Sequence, residues 1–118
     1  MTATTHVVVS HGSDFFGQDT FPVRQLRELG QYVRGVLPAA DHPPLTRLLD
    51  DAGDNEHTID GDQAATLAIL LRRAAGHRGL KKAYADIAAR LARAAAFAAA
   101  DTGPWTWTNT SDGLQLQH

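Results

Sequence analysis

The first run of apolar positions is Val7, Val8 and Val9. Three β-branched residues in a row predict a short buried strand over Thr5 to Ser10. From His11 to Thr20 the chain holds two glycines and two aspartates, which predicts a loop. A helix is then expected from Phe21-Pro22, with Thr20 or Asp19 as its cap and Pro22 in the first turn. Its apolar residues Leu26, Leu29, Val33 and Val36 make one amphipathic stripe, and Leu37-Pro38 ends it. A shorter helix, opened by Asp41-His42-Pro43-Pro44, carries Leu45, Leu48 and Leu49 and is closed by Gly53.

A second short strand is expected over His57 to Asp60, with Ile59 facing inward. Asp60 and Gln63 then have the spacing of a capping box, in which the cap carboxylate takes a backbone N–H of the first turn. The helix they open carries Leu67, Leu70, Leu71, Ala74 and Ala75 and stops near Gly76. A fourth helix is expected from Gly79 to Ala100, with Leu80, Tyr84, Ile87, Leu91, Ala94 and Ala98 on one face. Asp86 stands four residues from both Lys82 and Arg90, a spacing that supports helix ion pairs. Gly103-Pro104 breaks that helix. Trp105-Thr106-Trp107-Thr108 alternates strictly and predicts a third strand.

The predicted order is β-α-α-β-α-α-β. The expected fold is an α/β domain of the α+β type: a small three-stranded sheet packed with about four helices. It would occupy residues 1–108, with 109–118 as a polar, flexible tail. A chain of 118 residues, 43% hydrophobic and 20% charged, has the composition of one globular domain.

The sequence contains no cysteine, which excludes disulfides, thiolate chemistry and Cys-based zinc sites. With no signal-peptide pattern in Met1 to His6 and no long apolar run, the expectation is a cytoplasmic protein with no membrane contact. Nine of the eleven basic residues are Arg and twenty residues are Ala, so much of the alanine reads as the background of a GC-rich genome.

Charge is distributed unevenly. Residues 41–62 hold seven acids against Arg47, and residues 72–93 hold seven bases against Asp86. The basic set is Arg72, Arg73, Arg78, Lys81, Lys82, Arg90 and Arg93. Clustered near a helix junction, it is the candidate contact for nucleic-acid phosphates. The opposing reading is that the two lobes face and neutralise one another, within a monomer or across a homodimer. The acidic stretch from Asp50 to Glu56 does not fit the register of a calcium loop and reads as a solvated turn.

Candidate chemistry gathers in Ser10-His11-Gly12-Ser13-Asp14, directly after the first strand. Strand ends are where α/β sheets often place functional groups. His11, Ser13, Asp14 and Phe16 are the candidate binding residues there. A hydrolase reading would make Ser10 or Ser13 the nucleophile and His11 the base. Neighbours on a strand face opposite ways, however, and the Gly-x-Ser-x-Gly elbow is missing. Trp105 and Trp107 share one strand face and are either core or a stacking platform. The six histidines show no metal-binding spacing, so no metal and no cofactor are expected.

Three segments also resemble a small uncharacterised protein family of GC-rich actinobacteria and their mobile elements. They are Ser10 to Gly17, Val36 to Asp41 and Pro104 to Thr108. The resemblance implies a compact standalone domain and no particular activity. The leading functional expectation is a non-enzymatic interaction or regulatory module whose partner is a protein. The alternatives are a nucleic-acid-binding accessory protein using the 72–93 cluster, and a small enzyme using the Ser10–Asp14 loop.

Overall fold

The computed structural model describes residues 5–10, 18–101 and 104–110. Strand β1 (His6–Ser10) pairs antiparallel with a strand the sequence did not predict, β2 (Gln18–Pro22). Val7 stands opposite Phe21 and Val9 opposite Asp19. The composition Gln-Asp-Thr-Phe-Pro has little strand preference of its own. Of the side chains described there, from Asp19 to Pro22, Phe21 is the one in the core, so the strand owes its form to pairing with β1.

Because β2 occupies 18–22, helix α1 (Val23–Val36) starts directly off a strand. Pro22 is the cap residue, with extended backbone, and neither Thr20 nor Asp19 serves as a cap. Helix α2 (Pro43–Asp50) follows with prolines in its first two positions, where a missing N–H costs nothing. Gly53 lies past its end at φ 88°, a left-handed conformation. A Cβ at Gly53 would stand 2.9 Å from both γ-carbons of Val23.

Strand β3 (His57–Ile59) leads into helix α3 (Gly61–Ala75). The Asp60 carboxylate accepts the Gln63 backbone N–H at 2.8 Å, the cap expected from the sequence. Helix α4 (Lys82–Ala100) begins later than Gly79, but Leu80, just ahead of it, is still buried. Strand β4 (Trp105–Thr110) runs past Thr108, so Asn109 and Thr110 belong to the sheet.

The sheet therefore has four strands, and the element order is β-β-α-α-β-α-α-β. Strand order across the sheet is β2-β1-β4-β3, every neighbouring pair antiparallel. Val7, Val9, Phe21, Ile59, Trp105 and Trp107 face inward and are buried, while Thr20, Thr58 and Thr108 alternate outward and are exposed. The two indoles meet edge to face, centroids 5.4 Å apart, and Trp105 Nε1 donates to the Ser10 carbonyl at 2.9 Å.

Helix α4 is buried on two stripes. Ile87, Leu91, Ala94 and Ala98 form the expected one; Ala88, Ala92 and Ala95 form a second, and the helix touches both the sheet and α3. These alanines are not merely compositional background: each is buried, and their small size permits close packing. No helix among the described residues is long and apolar enough to cross a membrane.

Candidate functional site

A cleft of about 820 Å³ opens where α2, β3 and the first turns of α3 meet. Its floor is apolar: Leu48 from α2, Ile59 from β3 and Leu67 from α3, all at least nine-tenths buried. Polar groups line its walls. Helix α2 and its cap residue contribute Arg47, Asp50 and Asp51, and α3 contributes Asp62, Gln63 and Thr66. Strand β3 adds His57. The placement follows from local structure. The inward parity of β3 aims His57 and Ile59 at the helices, and the Asp60 cap starts α3 immediately after the strand.

His57 is the unusual member. Its Nε2 lies 3.1 Å from an oxygen of Asp51, but off the line a hydrogen bond needs. That nitrogen is buried with no hydrogen-bond partner among the described residues. A buried nitrogen left in this state is costly and suits a site that a ligand completes. Asp51 is held by Asn55, whose amide nitrogen stands 3.0 Å from both carboxylate oxygens. Asp50 is bound to Arg34 of α1. That hydrogen bond holds the Asp50 carboxyl below the ordinary carboxylate range and raises the guanidinium in turn.

The acidic stretch is therefore more than a solvated turn. Asp50 joins Arg34, Asp54 joins Arg27 at 3.0 Å, and Glu56 accepts the Asn109 backbone N–H of β4 at 2.8 Å. The acidic lobe is fastened chiefly to α1 and the sheet. Only the Arg73–Asp41 pair, at 3.3 Å, joins it to the basic lobe among the described residues.

The basic residues are dispersed. Arg90 pairs with Asp19 at 3.0 Å and lies over the Phe21 ring, rather than pairing along its helix with Asp86. Lys81 stands over the Tyr32 ring, 5.7 Å from its centroid. Arg72 and Arg93 flank an alanine-lined groove between α3 and α4 that includes the exposed Phe97.

Among the other residues singled out from sequence, Trp105 and Trp107 are buried and form core rather than a surface platform. His11, Ser13, Asp14 and Phe16 lie outside the described residues. Ser10 lies within β1, and its hydroxyl accepts the Thr106 N–H at 2.9 Å.

A family model described as a domain of unknown function, DUF7739, matches residues 12–108. The chain belongs to that family. No curated protein and no solved structure matches it. The DUF7739 stretch begins just after β1 and contains the whole cleft.

Sequence reasoning missed this site. In the sequence the next acid after His57 is Asp60, three residues on, whereas its neighbour in space is Asp51 across the turn. A local signal did exist: acids and a histidine sit between two helices with apolar faces, beside a strand of three residues.

Proposed function

We propose that this chain is a non-enzymatic binding module and that the cleft between α2, β3 and α3 is its site. The supporting observation is His57 Nε2, buried without a hydrogen bond beside an apolar floor and flanked by carboxylates. Apolar ground with a few convergent polar groups is the usual make-up of a ligand site. Binding is the reading preferred to catalysis because the floor is apolar and the carboxylates beside it are already engaged, Asp50 by Arg34 and Asp51 by Asn55. The cysteine-free sequence supports a cytoplasmic setting for the module.

The test is amide-shift mapping of the isotopically labelled protein against a panel of amines, amino acids and short peptides. Saturable shifts confined to residues 47–51, 57–59 and 62–67 are expected. Shifts elsewhere, or none with any ligand class, would overturn the reading.

Nucleic-acid contact is a second reading. It is supported by Arg72 and Arg93 flanking one groove, and by Arg78 and Lys82, which have no ion pair among the described residues. Phosphate contacts strengthen as salt falls, so a gel shift at low ionic strength decides it.

A further inference from the structure

Strand β3 lies at the edge of the sheet, with β4 on one side. Its hydrogen-bonding parity follows from two neighbouring contacts. The Thr106 N–H points toward β1, where it meets Ser10, and the Asn109 N–H points the other way, toward Glu56. Trp105 and Trp107 therefore direct their backbone groups at β3, where they face Ile59 and His57. By the same alternation, the N–H and C=O of Thr58 point away from β4, and neither has a hydrogen bond among the described residues. Asp60 is also extended, at φ −71° and ψ 166°, but its C=O accepts the Ala64 N–H of α3, so Thr58 carries the open pair of the edge.

The cleft lies against this same strand and is lined by no other strand. A free strand edge is a template for another strand. Where a side-chain pocket adjoins it, the edge supplies affinity and the pocket selects alternate side chains. With Asp50 paired to Arg34, the charge around the cleft is still acidic: Asp51 and Asp62 line it against Arg47, while Glu56 and Asp60 bracket the edge.

Resting on the cleft reading above, we propose that the ligand is an extended, basic peptide segment of a partner protein that adds as a fifth strand beside β3. Its backbone pairs with the N–H and C=O of Thr58. One apolar side chain enters over Leu48, Ile59 and Leu67, and a neighbouring Lys or Arg on the same face of the peptide meets Asp51 and Asp62.

The probe is a short peptide of Val and Lys with capped ends, arranged so that one face carries both residue types, titrated into the labelled full chain. The expected result is saturable binding with slowed hydrogen exchange at the Thr58 amide. Affinity should fall about tenfold when Glu replaces Lys in the peptide, and by a similar factor in an Asp51→Asn, Asp62→Asn double variant. Thr58→Pro removes the outward N–H at an edge, where proline is tolerated, and should weaken binding by about tenfold. If that variant misfolds, N-methylation of the peptide amide that faces Thr58 makes the same test from the ligand side.

Cleft shifts without protection of Thr58 would overturn strand addition and leave the cleft reading standing. A response to small amines but not to the peptide would overturn the peptide class alone. Protection of Thr58 that rises with protein concentration, without peptide, would identify a second copy as the occupant and overturn the partner peptide. No response at the cleft to any ligand would remove both readings.

Discussion

Two tryptophans of the same kind, on one face of one strand, have unequal roles. Trp105 Nε1 donates to the Ser10 carbonyl, whereas Trp107 Nε1 is buried with no partner among the described residues. Replacing either by Phe removes similar apolar area, but only Trp105→Phe breaks a hydrogen bond. Urea unfolding should show Trp105→Phe less stable than Trp107→Phe by about 1 kcal/mol. Equal losses would mean that the bond to Ser10 adds nothing net.

At Asp50 the pairing with Arg34 lowers the folded-state pKa below the ordinary 3.8. Its contribution is then present in full above about pH 4 and is lost as pH falls through the folded value. Thermal unfolding of Asp50→Asn should give a lower Tm than the parent at neutral pH, with the gap closing on strong acidification. A gap that stayed constant with pH would exclude the ion pair as its source. The Trp pair was legible in the sequence as core or platform. Which indole finds an acceptor depends on a carbonyl 95 residues away in sequence, and no local pattern carries that.

Among elements, α4 has the most to explain. Its Ile87–Leu91–Ala94–Ala98 stripe is visible as helical spacing, but Ala88, Ala92 and Ala95 are hidden in an alanine-rich run. Alanine is at home in a helix whether buried or exposed, so the pattern could not separate packing from composition. The structure separates them, since Ala95 is fully buried in a helix that touches both the sheet and α3. Ala95→Leu should therefore destabilise by about 1–3 kcal/mol through overpacking, measured by chemical denaturation. The same change at the exposed Ala89 should be near neutral. Strand β2 was illegible for a different reason: Gln-Asp-Thr-Phe-Pro holds a single apolar side chain ahead of its proline, so it has no period to detect. Only the free edge of β1 makes it a strand.

At the scale of the whole molecule, β4 joins the two parts of the sheet. It pairs with β1 on one side and β3 on the other, so the hairpin β1–β2 has no other route to β3. It also brings both buried indoles into the core. A chain ending at residue 104 should lose cooperative unfolding and show little tertiary signal by near-ultraviolet circular dichroism, although its helices retain local propensity. A sharp two-state transition in that truncated chain would contradict this account. The pairing of residues 6–9 with 107–110 spans most of the chain, so closing it carries a large entropic cost before the core rewards it.

The sequence by itself determined the four helices, their main buried stripes, the Asp60 cap and three of the four strands. Each of these rests on a period or a spacing between residues close in the chain. Tertiary structure alone decided the fourth strand, the β2-β1-β4-β3 order and the second face of α4. It also decided that the acids of residues 50–56 fasten α1 and β4, and that His57, Asp51 and an open strand edge meet at one cleft. Those features depend on which distant groups become neighbours, and that follows from how one sheet and four helices share a core.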